Sequence, residues 1–132
     1  MIKIILAAFL AVSIGAVITP HYTMKVYTKP GAVGEKGMAG AIITPADRYK
    51  WNKEYPASFE FMHYEPNIAT PIREETHFKD GKLCVPYIGK QAGREPIVVA
   101  INFSVCNKEE CMTYRNEKVI LMLIVKNIEK NN

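Results

Sequence analysis

The chain has 132 residues, of which 48% are hydrophobic and 23% charged, with a formal net charge of +4. That is the composition of one globular domain, and it excludes disordered and collagen-like classes. The 17 basic and 13 acidic residues are dispersed rather than clustered, which leaves no case for a nucleic-acid partner.

Met1-Ile2-Lys3 is a short basic start, and residues 4–18 are apolar except for Ser13 and Gly15. This reads as a secretory signal peptide over residues 1–16, with Ser13, Gly15 and Ala16 as small residues near a cleavage point. A retained membrane anchor is the competing reading, but the run falls short of the ~20 apolar residues a spanning helix needs. Either way the expected location is periplasmic or extracytoplasmic, where disulfides persist. Residues 17–132 then make a single domain.

Within that domain the candidate strands are short and bounded by Gly, Pro, Asn or Asp. Residues 23–28 alternate and stop at Lys29-Pro30-Gly31. Glycine recurs at 31, 34, 37 and 40, too few triplets and too little proline for collagen, so the segment is expected to be a mobile surface loop. Residues 41–44 form a brief apolar strand ending at Pro45. The stretch 45–56, with Tyr49, Trp51 and Tyr55, is expected to be a helical turn or irregular loop whose aromatics pack locally. Residues 57–63 place Phe59 and Phe61 on one face. Residues 76–78 lead through Lys79-Asp80-Gly81-Lys82 into a strand at 83–88, where Pro86 suggests an edge or a bulge. Residues 97–106 and 111–115 form a hairpin, and the apolar run 119–125 fits a central strand covered on both faces. Seven or eight such strands predict an all-β fold, an antiparallel immunoglobulin-like sandwich preceded by the signal peptide.

The hairpin carries the chemistry. Cys106 and Cys111 flank Asn107-Lys108-Glu109-Glu110, which sets the two thiols opposite each other. Counting outward, Val105 faces Met112, Ser104 faces Thr113, Phe103 faces Tyr114 and Asn102 faces Arg115. Apolar meets apolar and polar meets polar, an agreement that a slip of one residue would destroy. The cysteines share the polar face, so a disulfide there lies near solvent, within reach of exchange. Lys108 and Arg115 would stabilise a thiolate while Glu109 and Glu110 oppose it.

Other chemistries fit less well. A zinc site needs a second Cys/His pair, and His21, His63 and His77 show no paired spacing. A cysteine hydrolase would be handicapped by a neighbouring thiol able to oxidise its nucleophile. No metal and no cofactor are expected. Cys84, between Leu83 and Val85, reads as a small buried apolar residue. The alternative to an exchange function is a non-catalytic exported binding or assembly domain whose disulfide only fixes a hairpin.

The segment from Phe103 to Cys111, followed by the apolar run 119–125, resembles the cysteine hairpin of the N-terminal periplasmic domain of DsbD-type thiol:disulfide interchange proteins. Asn52-Lys53-Glu54-Tyr55-Pro56 before a strand is similar to freestanding exported relatives of that domain. The resemblance implies an immunoglobulin-like sandwich in which Cys106 and Cys111 are the redox pair, passing electrons between a membrane reductase and protein thiol/disulfide partners. Cys84 is not part of that motif, and the insert between the paired cysteines is shorter than in the fused members.

Overall fold

The computed structural model describes residues 12–127. They form a β-sandwich of two packed sheets, the all-β architecture expected from the strand pattern. One sheet runs β1(Val12–Ile18), β2(Tyr22–Lys29), β4(Lys36–Pro45), β9(Lys82–Gly89), β7(Ala69–Pro71), with β8(His77–Lys79) also pairing β9. The other runs β3(Gly31–Ala32), β11(Cys111–Lys126), β10(Gly93–Cys106), β5(Lys50–Trp51), with β6(Ser58–Phe61) also on β10. Strand pairing is antiparallel except where the short β3 runs parallel to β11, next to a single parallel bridge from Val33 to Gly89.

Period-two alternation sends one side of each strand inward. Met24, Ile43, Leu83, Val85 and Tyr87 from the first sheet meet Val99, Ile101, Phe103, Leu121 and Leu123 from the second. Tyr22 stands edge-on to Phe103 with ring centroids 5.2 Å apart, an arrangement that suits the opposed edge and face charges of the rings. The outer edge of β11 is closed by side chains of the facing sheet. The Tyr87 hydroxyl donates to Ile124 O at 2.8 Å and accepts from Ile124 N, and the Thr28 hydroxyl donates to Met122 O. Backbone groups that an edge strand would leave open are thereby satisfied.

Several expectations change. The stretch from Gly31 to Gly40 is no mobile loop: β4 begins at Lys36 and carries Gly37 and Gly40 inside a central strand. A Cβ on Gly37 would lie 2.6 Å from the Tyr87 hydroxyl, and one on Gly40 2.6 Å from the Tyr27 hydroxyl. These glycines are room for tyrosines on neighbouring strands, not a sign of mobility. The stretch 45–56 contains a strand, β5, and Tyr49 and Trp51 pack not locally but against the core, on His21 and Phe103. β11 is not covered on both faces. Val119, Leu121, Leu123 and Val125 point inward, while Ile120 is 60% exposed, because each sheet of a two-layer sandwich has one inner face. Pro86 is buried in the middle of β9. Its carbonyl accepts from Ile72 N at 2.8 Å on the side where the ladder passes from β7 to β8, so its missing N–H falls in that gap.

The expected leader boundary after Ala16 falls inside β1, whose backbone fills the outer edge of β2 from Val12↔Thr28 to Ile18↔Thr23. The rest of the expected signal peptide, residues 1–11, lies outside the described residues.

Candidate functional site

The site is built at the tip of the β10–β11 hairpin. Cys106↔Cys111, Val105↔Met112, Ser104↔Thr113 and Phe103↔Tyr114 pair in the register read from sequence. Asn102 does not pair with Arg115. The ladder resumes at Ile101↔Glu117, so β11 carries one extra residue there. Asn116 takes φ 55° and its N–H donates to Asn102 Oδ1 at 2.8 Å. The bulge switches parity on β11: Met112 and Tyr114 point to the core above it, Val119 and Leu121 below it.

At the tip, Asn107 Oδ1 accepts the N–H groups of Glu109 and Glu110, each at 2.8 Å. Asn107 N–H donates to Glu110 O at 2.9 Å. The pair beneath it, Cys106 and Cys111, is therefore a non-hydrogen-bonded one, the kind that brings side chains closest. Their Cα atoms are 4.0 Å apart and the sulfurs are joined in a disulfide. Cys111 is exposed and Cys106 half-buried.

The two faces of the hairpin differ. On the cysteine face, Thr113 donates to the Ser104 hydroxyl at 3.1 Å, and Asn52 reaches the same oxygen at 3.3 Å. Ser104 is consequently buried but satisfied. On the opposite face lies an aromatic cluster. Phe103 stacks on Tyr114 at 5.1 Å, and Tyr22 stands edge-on to Tyr114 at 5.0 Å. His21 Nδ1 shares a 2.6 Å hydrogen bond with the Tyr114 hydroxyl, and its ring meets Tyr49 edge-on at 5.3 Å. Burial, then the Glu117 carboxylate that accepts its hydroxyl proton, holds Tyr22 well above the usual phenol range.

β5 completes the site from the other edge of β10, pairing Lys50 with Cys106 and Trp51 with Val105. Before it, Ala46 to Tyr49 makes a turn closed by Tyr49 N–H donating to Ala46 O, with Arg48 in the left-handed region at φ 75°. Arg48, Lys50 and Lys108 line a cleft of about 720 Å³ together with Cys106, Asn107 and Glu109. Three cations thus face one carboxylate. Glu110 is drawn to the aromatic side, where its Oε2 accepts from the Tyr49 hydroxyl at 2.9 Å and raises that phenol's pKa. Arg115, expected to help a thiolate, sits exposed beside the bulge and is not in the cleft wall. Arg48 and Lys50 escaped the sequence reading because nothing local ties their segment to the hairpin.

Cys84 lies in the other sheet. It is half-buried on that sheet's outward side, not a core residue, because Leu83 and Val85 take the inward positions. Gly40 and His77 are its cross-strand neighbours. The Tyr27 ring crosses Gly40 to put its hydroxyl 3.9 Å from Cys84 Sγ. Burial first, then Cys84, pushes Tyr27 up to about 12. His63 and His77 are exposed and His21 belongs to the aromatic cluster. Among the described residues no group of three or more His, Cys, Asp or Glu is placed to hold a metal ion.

A carboxylate that the sequence did not single out organises the loop before β7. Glu95 Oε2 accepts the Tyr64 hydroxyl and the N–H groups of Ile68, Asn67 and Ala69. Burial acts to raise the pKa of Glu95, but these donors together outweigh it and leave the pKa below the ordinary carboxylate value.

No protein-family model, curated protein or solved structure matches this chain.

Proposed function

We propose that the chain is an exported thiol–disulfide exchange module acting through Cys106 and Cys111, akin to the N-terminal periplasmic domain of DsbD-type proteins. The observation that carries this reading is the disulfide's position: it closes only the tip of a hairpin, with Cys111 open to solvent and Cys106 in the wall of a cleft. As a staple it is largely redundant, because β10 and β11 already pair continuously from Gly93↔Val125 to the cysteines, apart from one bulge.

In exchange, a partner thiolate attacks one sulfur of the pair, and the other leaves as a thiolate. The resulting mixed disulfide is resolved by the partner's second thiol, which releases the first cysteine. Two electrons and two protons pass from the partner dithiol to Cys106 and Cys111, and the reverse sequence hands them on. Cations beside Cys106 favour its thiolate form once the bond is opened.

The test is the reduction potential, measured by equilibration with glutathione buffers. Structural disulfides lie below about −300 mV, and an exchanging pair is expected above that line. Cys111→Ala should trap a mixed disulfide on Cys106 with an exported dithiol protein. A potential well below the line, together with no trapped species, would leave the non-catalytic reading in its place.

A further inference from the structure

The cleft beside the disulfide has a composition that the exchange chemistry alone does not require. Its wall carries Arg48 and Lys50 from the β4–β5 turn and β5, and Lys108 from the hairpin tip, against the single carboxylate of Glu109. The chain as a whole is only weakly basic, with 17 basic and 13 acidic residues. A three-to-one excess in one concave surface is therefore a local feature.

Two structural details maintain it. The Tyr49 hydroxyl holds Glu110 on the aromatic side of the hairpin, away from the cleft wall. Arg48 sits at φ 75°, a conformation in which glycine or asparagine is at ease and a long side chain is disfavoured. Strained positions of this kind persist where the surroundings over-determine them, and they cluster at binding sites. A glycine at 48 would relieve the backbone but would remove one of three cations.

We infer that this cleft is a docking site for an acidic stretch of the partner polypeptide, held against Cys106 by Arg48, Lys50 and Lys108. This inference rests on the exchange reading for the identity of the partner as a protein. The cleft's volume suits a few side chains rather than a folded surface. Its charge complements carboxylates, and a segment seated there lies beside Cys106, one of the two residues of the disulfide. Charge complementarity of this kind raises the encounter rate and sets register more than it deepens affinity.

The experiment uses the full chain in its oxidised form and a labelled, cysteine-free hexapeptide of alternating Glu and Ser, with a Lys-for-Glu version as the comparison. Fluorescence anisotropy should give the acidic peptide an affinity at least about 10-fold higher, falling as salt is raised from about 20 to 200 mM. Lys50→Gln and Lys108→Gln should each weaken it by about 2–5-fold, whereas Lys25→Gln on the other sheet should not. Lys108 is exposed at the hairpin tip, so its replacement keeps the test independent of folding.

Equal affinity for the two peptides, no binding up to millimolar peptide, or an equal loss in Lys25→Gln would overturn the inference. So would an oligonucleotide or inorganic phosphate that competes as well as the acidic peptide, since the cleft would then be a general anion site. A cysteine-containing version of each peptide separates this inference from the exchange reading. Charge-selective binding without a mixed disulfide would defeat the exchange reading and leave the cleft. A mixed disulfide formed equally with both peptides would do the opposite.

Discussion

Opening the Cys106–Cys111 bond should cost little stability, and the amount can be worked from the hairpin. The bond spans a sequence separation of 5. Closing so short a loop removes unfolded-chain entropy worth about 2 kcal/mol at 25 °C in the loop-entropy model. The folded state has little to lose beyond that. Asn107 closes the turn through two side-chain hydrogen bonds, and the ladder beneath the cysteines continues through Val105↔Met112 and Ser104↔Thr113. Reduction should therefore lower the unfolding free energy by about 2 kcal/mol and the melting midpoint by roughly 5–10 °C, without loss of fold. Trp51 is the sole tryptophan and lies edge-on to Phe103 at 5.9 Å, so its fluorescence reports unfolding next to the site. Urea titrations of the oxidised and reduced protein should differ in midpoint but hardly in slope. A loss of about 4 kcal/mol or more, or unfolding on reduction, would refute this reasoning and mark the bond as a structural staple.

Three further outcomes are expected. Cys84→Ala removes a half-buried group touched by the Tyr27 hydroxyl; it should cost at most about 1–2 kcal/mol by urea titration and leave the exchange rate of the pair unchanged, and arrested turnover in a folded variant would instead make Cys84 a chemical thiol. Glu95 has a pKa lowered from 4.5 in the folded chain, so its contribution is present above the unfolded value and is lost as pH falls through the lower folded one. Glu95→Gln should flatten the acid limb of stability below about pH 4.5, and a limb as steep as that of the unaltered protein would contradict the hydrogen-bonded anion. A chain beginning at Val17 should keep a β-sheet circular dichroism spectrum, since Gly15 and Ala16 are exposed. With part of the β2 edge uncovered, it should also self-associate more readily in size-exclusion chromatography; a disordered spectrum would place β1 within the folding unit, and a helix-dominated one would refute the β-sandwich.

What the sequence determined by itself is local. Alternation along residues 97–106 and 111–115 was enough to put Cys106 opposite Cys111 and to predict the three pairs beneath them, because register follows from which neighbours share a face. The parity change between Tyr114 and Val119 was also present in the sequence, but only the Asn116 bulge reveals it as a single inserted residue rather than two strands. Tertiary structure alone decided what stands next to what. Gly37 and Gly40 look like loop residues until Tyr87 and Tyr27 on adjacent strands occupy the space a Cβ would need. Cys84 has apolar neighbours in sequence yet faces outward, because the inward positions of β9 belong to those neighbours. Arg48 and Lys50 reach the disulfide only because β5 pairs with the end of β10. Face and register are set by period-two alternation within a few residues; strand neighbours are set by burial of the whole sandwich, and no short window of sequence contains that information.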